Sequence, residues 1–121
     1  MKTEKVFKIK ISIFEYIVTV IISENINKSR IKRNKSLGKY EWDGEDPFGM
    51  TQGDTTWDKC FIFLKFDSGV NTIVHESVHA KQLMEKFLGT TFDIETEAYL
   101  LGYLTENIYN NLRKINDIYN R

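Results

Sequence analysis

Two stretches in the second half of the chain repeat their apolar residues at threes and fours, the period of an amphipathic α-helix. In the first, Val70, Val74 and Val78 form one stripe with Ile73, Met84, Phe87 and Leu88 beside it, and Gly89 supplies a C-terminal stop. Asp67-Ser68-Gly69, immediately before it, offers turn and N-cap chemistry. The second stretch begins near Asp93 and carries Ile94, Ala98, Leu101, Ile108, Leu112, Ile115 and Tyr119, with Asn110-Asn111 as a place where it bends or ends. Helices of this kind need a surface to lie on, and the preceding sequence has the pattern of a sheet.

From Val6 to Ser12 apolar and polar residues alternate, with Phe7, Ile9 and Ile11 on one face and Lys8, Lys10 and Ser12 on the other. Phe14 to Ile22 is β-branched and aromatic, which predicts a second strand covered on both faces. Residues 23–36 are polar and predict a short exposed helix with a thin apolar face, Ile26 and Ile31. Leu37 to Asp58 contains Gly38, Gly44, Pro47, Gly49 and Gly53, and predicts loop with one short strand. Cys60 to Phe66 is compact and apolar, a central-strand pattern. The expected architecture is α+β in one domain, residues 1–121: a small antiparallel or mixed sheet of three to four strands packed on the two helices.

Charge and cysteine content narrow the function classes. Lys plus Arg and Asp plus Glu number 17 each, so net charge gives no argument for nucleic acid or an anionic membrane as the main partner. Lys28, Arg30, Lys32, Arg33 and Lys35 form a local basic cluster for which a solvated helix face is the simpler account. The single cysteine, Cys60, excludes an internal disulfide and has the setting of a small buried hydrophobe. The longest uncharged run near the start, Tyr16 to Ser23, falls far short of the roughly 20 residues that span a bilayer, and no small-residue cleavage site follows it. The expectation is a soluble, unexported, cytoplasmic protein. Trp42 and Trp57 flank the glycine-rich segment, where core anchoring is favoured over walling a cleft.

Chemistry concentrates in residues 75–79, His-Glu-Ser-Val-His, which hold both histidines of the chain. Positions four apart on an α-helix lie on one face, one turn above the other, so two imidazoles so placed can reach one tetrahedral zinc. Glu76 projects from the flank of that face, where it can reach a water near the ion as a general base. The plain alternative is a helix with two surface histidines and a solvated glutamate. A catalytic zinc usually takes three protein ligands, and no third histidine exists, which leaves carboxylates or Cys60. Glu95 and Glu97 on the second helix are about 200° apart, so only one can face the metal. Glu95 shares a stripe with Tyr99 and Gly102, and Glu97 shares one with Leu101, Leu104 and Ile108; geometry alone does not choose.

The run His75-Glu76-Ser77-Val78-His79-Ala80, followed by Glu95-Thr96-Glu97-Ala98-Tyr99-Leu100-Leu101-Gly102, resembles the minimal zincin domains of bacteriophages and prophages, similar in outline to gluzincin metallopeptidases. The resemblance covers about residues 60–108. It implies zinc held by His75, His79 and Glu95, with Glu97 in reserve, and Glu76 as base and then acid. It further implies a polypeptide substrate cleaved at an amide bond. Tyr99 or Tyr103 would stand in for the oxyanion donor that such enzymes often supply from a further His or Tyr. In zincin folds the strand before the histidine helix edges the cleft, which makes Cys60–Phe66 the expected substrate-pairing strand. Two other functions share parts of this sequence. One is a zinc-binding adaptor or regulator without catalysis in phage–host interaction. The other is a nucleic-acid-associated regulator using the 28–35 cluster.

Overall fold

The computed structural model describes residues 2–38 and 44–119. Strand β1 (Lys5–Ile11) turns into β2 (Tyr16–Ile22) through a single 3₁₀ turn, Ser12–Phe14. No glycine is available there, and Glu15 takes the left-handed conformation (φ 51°), its N–H donating to the Ser12 carbonyl. Two short helices follow, α1 (Ile26–Ile31) and α2 (Asn34–Leu37). Strand β3 (Gly49–Gly53) then leads by a hairpin to β4 (Lys59–Leu64), and the chain ends in α3 (Val70–Leu88) and α4 (Ile94–Tyr119).

The four strands form one mixed sheet in the order β1-β2-β4-β3. β1 and β2 are antiparallel, β2 and β4 are parallel, and β3 and β4 are antiparallel. Period-two alternation sorts the side chains. Tyr16, Val18, Val20 and Ile22 of β2 and Cys60, Ile62 and Leu64 of β4 face one way, and there they meet Ile73, Ala80 and Met84 of α3 and Leu100, Leu104, Ile108 and Leu112 of α4. Ile21 and Phe63 face the other way, under Ile26 and Leu37 from the short helices. An α+β domain with a small mixed sheet is thus what the sequence pattern predicted. Among the described residues, no helix is long and apolar enough to cross a membrane.

Several details differ from expectation, each for a local reason. α4 continues unbroken through Asn110-Asn111, where the Asn111 side-chain amide donates to the Asn107 carbonyl one turn back. On α3 the buried stripe is Ile73, Ser77, Ala80 and Met84, while Val70 and Val74 are exposed. Gly69 occupies its N-cap with no side-chain cap bond, and the Ser68 hydroxyl accepts instead from the Lys65 N–H. At the other end Gly89 stops the helix as expected, left-handed (φ 71°) with its N–H on the Glu85 carbonyl. The α1 region is also more than a solvated face. Asn25 caps the helix by accepting from the Lys28 N–H, and the Asp46 carboxylate takes the N–H groups of Ile26 and Asn27. Arg30 is fully buried (0% exposed), with its guanidinium on Gln52, Asn34 and the carbonyls of Leu37 and Gly38.

Candidate metal centre

His75 and His79 stand one turn apart on the exposed flank of α3, and their Nε2 atoms are 3.2 Å apart with the rings edge-to-face. Two nitrogens on a tetrahedral zinc, each about 2.0–2.1 Å from the ion, are separated by about 3.3–3.4 Å. The pair therefore has the spacing of two ligands of one ion. The same approach also suits an imidazole–imidazole hydrogen bond, so the distance fits zinc without requiring it. His79 Nδ1 lies 2.9 Å from the Gln82 side-chain oxygen, a contact that would hold its ring with Nε2 turned toward His75.

Glu76 is placed quite differently from its two neighbours. It is only 5% exposed, packed under β3. Its Oε1 accepts a 2.7 Å hydrogen bond from the Thr51 hydroxyl, and its Oε2 lies 4.0 Å from His75 Nε2. β3 can come this close because it carries small residues on the side facing α3. A Cβ at Gly49 would lie 3.1 Å from both Cγ and Oε2 of Glu76 and 2.9 Å from the Thr72 methyl. A Cβ at Gly53 would meet Leu83. Met50 and Gln52, in alternate register, turn to the opposite face, toward the second apolar cluster and Arg30. The Gly49-x-Thr51-x-Gly53 pattern is thus a narrow seam against the histidine helix. It is the one short strand expected within Leu37–Asp58; its place against the histidine helix was not foreseen, and the signal for that was small residues at every second position.

The strand expected to edge this cleft does not do so. β4 is hydrogen-bonded on both sides, to β2 and to β3, and it is β3 that ends the sheet among the described residues. The Asp54 N–H donates to the Lys59 carbonyl at the end of the β3–β4 ladder, so the hydrogen-bonded pairs recur at Gln52–Phe61 and Met50–Phe63. Gly49, Thr51 and Gly53 therefore turn their main-chain N–H and C=O groups toward the edge that, among the described residues, pairs with no other strand.

Cavities lie along the seam on either side of the histidines. One of about 570 Å³ is lined by Phe48, Gly49, Thr72, Val74, His75 and Glu76. Another, of about 430 Å³, is lined by Thr51, Gly53, His79, Gln82, Leu83 and Lys86. Trp57 is not a core anchor: it is 59% exposed in the left-handed conformation (φ 73°), with the Lys86 ammonium 5.7 Å from its ring. Trp42 lies outside the described residues.

The remaining predicted site residues are not gathered here. Glu95 and Tyr99 are exposed at the start of α4, Tyr99 by 78%, and Tyr103 is half exposed. Among the described residues, no three His, Cys, Asp or Glu side chains come together as a metal-holding group. Glu97 has another partner, since its Oε2 is 3.1 Å from the Lys81 ammonium, which also pairs with Glu85 at 2.9 Å. These bonds raise the Lys81 pKa, Glu85 contributing most. Burial works against the Glu85 charge, but the hydrogen bonds from Lys81 and the Phe92 N–H, together with the Lys81 charge, outweigh it and hold that carboxyl below its ordinary range. Cys60 is fully buried in β4, and burial pushes its thiol up to about 12, so it is no ready thiolate ligand. No family model matches the chain, and no curated protein or solved structure matches it either.

Proposed function

We propose that this chain is a zinc-dependent hydrolase of the minimal zincin kind, cleaving a polypeptide amide bond. The observation that carries the proposal is the pairing of two convergent imidazoles, 3.2 Å apart, with a buried carboxylate on their flank that is held by a hydroxyl from the neighbouring strand. A solvated glutamate beside two surface histidines would need no such fixing. His75 and His79 would hold the ion, and Glu95 is the proposed third ligand. It is preferred to Glu97 because Glu97 would first have to leave Lys81. Zinc held there would supply a bound water with a pKa lowered toward about 7 and an electrophile for the scissile carbonyl. Glu76 would be the base that takes the proton of the attacking water and gives it to the leaving amine. Tyr99, one helical turn beyond Glu95, is the proposed oxyanion donor.

The substrate would lie extended on the free edge of β3, hydrogen-bonded to Gly49, Thr51 and Gly53, with Phe48 and Trp57 at the two ends of the seam. The nucleic-acid reading is weaker than the sequence allowed, because Arg30 is buried and Arg33 is bound to Glu4, leaving Lys28, Lys32 and Lys35 exposed. The adaptor reading shares the metal ligands and is separated by one experiment. Elemental analysis of wild type, His79→Ala and Glu76→Gln is combined with cleavage of a quenched-fluorescence peptide library. Zinc in the wild type and in Glu76→Gln, none in His79→Ala, and cleavage by the wild type alone supports the hydrolase. Zinc without cleavage by the wild type supports the adaptor, and a metal-free wild type removes both.

A further inference from the structure

We propose, resting on the hydrolase reading above, that Thr51 is a positioning residue for the Glu76 carboxylate and that it ties the register of a peptide on β3 to the orientation of the base. The Thr51 oxygen lies 2.7 Å from Glu76 Oε1 and 3.1 Å from the Glu76 main-chain oxygen. A hydroxyl has one proton to give, and the charged, closer Oε1 takes it. That bond fixes one carboxylate oxygen and leaves the other, Oε2, on the His75 side, 4.0 Å from Nε2. A glutamate side chain otherwise has three torsions over which to disperse. Gly49 keeps the space around Oε2 open, since a Cβ there would stand 3.1 Å from that atom.

Thr51 also faces outward. Its main-chain N–H and C=O belong to the free edge of β3, as the β3–β4 ladder requires. A peptide paired there is therefore referenced to the same residue whose side chain sets the base. The two functions share one Cα, with no loop between them to blur the distance.

A bond that merely satisfied a buried carboxylate would leave catalysis alone, and the test separates the two roles. Thr51→Val keeps the shape and removes the donor, and Thr51→Ser restores it. Zinc content should be unchanged in both. On the best-cleaved peptide of a quenched-fluorescence library, Thr51→Val should lower kcat by about tenfold or more with KM within about twofold, and Thr51→Ser should recover most of the loss. Independently of activity and of whether Thr51→Val folds, NMR of the zinc-free wild type should show a Thr51 hydroxyl proton protected from exchange with water. A rapidly exchanging hydroxyl, a wild-type kcat in Thr51→Val, or a loss confined to KM overturns the positioning role while the hydrolase reading survives. A zinc-loaded wild type that cleaves no library peptide overturns that reading, and the role with it.

Discussion

Where α3 meets β3, the polar groups are held by the fold: Glu76 is buried, Thr51 bonds it, and Gly49 lets the strand close on the helix. Where α3 meets the first turns of α4, the groups proposed for the same site stand in solvent. Glu95 and Tyr99 are exposed, and Glu97 spends its charge on Lys81. Folding has ordered the proposed base and left the proposed third ligand to be ordered by what binds. An exposed carboxylate loses side-chain entropy on ligation, whereas a pre-bonded one has already lost it. The proposed centre is thus half prepared, and its zinc affinity should depend on the α4 half more than on the β3 half.

The sharpest test of that contrast is Glu76→Gln. Cleavage should fall by about 10²–10⁴-fold, the usual contribution of a positioned general base, with zinc content unchanged. Loss of zinc would make Glu76 a ligand and erase the distinction between the two sides. Next in size, Glu95→Ala should weaken zinc binding by roughly tenfold or more in a competition titration, and Glu97→Ala should leave it unaltered. The opposite order would move the ligand to the stripe now held by Lys81. Glycine substitutions probe packing on each side. Gly49→Ala should cost about 1–3 kcal/mol in chemical denaturation, because its Cβ would press on Glu76 and Thr72. Gly102→Ala, in α4 with nothing within 4 Å, should stabilise by up to about 1 kcal/mol.

The smallest effect concerns acid. Glu85 and Glu4 both sit below the ordinary glutamate value of 4.5: burial opposes each charge, but the Lys81 and Phe92 N–H hydrogen bonds with the Lys81 charge at Glu85, and the Arg33 and Ser29 hydrogen bonds with the Arg33 and Lys32 charges at Glu4, together outweigh it. A carboxyl depressed in the folded state stabilises at neutral pH and loses that contribution as pH falls through its folded value. Denaturation midpoints should therefore be flat from about pH 7 to 5 and decline below about 4.5. Lys81→Met should shrink the decline, by a few tenths to about 1 kcal/mol.

Much of this was legible in the sequence where one physical signal dominated. The alternation at Phe7, Ile9 and Ile11, the β-branched run before Ile22 and the helical period from Val70 gave the strands and helices their places, with Gly89 marking the helix end. What was not legible depended on partners distant in sequence. Which face of α3 is buried follows from how it lies on β2, β4 and α4, and the short strand expected within Leu37–Asp58 did not reveal that it would close over Glu76. The cleft edge was assigned to Cys60–Phe66 by adjacency in the chain, but the parallel pairing of β2 with β4 moves that strand inside the sheet and leaves β3 outermost. Arg30 looked like a surface charge until Gln52 and the Leu37 and Gly38 carbonyls were found around it. The histidine pair was visible because both residues lie on one helical turn; a carboxylate from another helix carries no such local signature.

The lone thiol, fully buried on β4 within the larger core, gives the molecule a built-in reporter. A thiol-reactive dye can modify Cys60 only when β4 separates from its neighbours, so the labelling rate counts excursions that dismantle the domain. Any compound that binds the intact fold must slow those excursions by mass action. Titrating metal or peptide against dye uptake would then rank their affinities without an enzymatic assay.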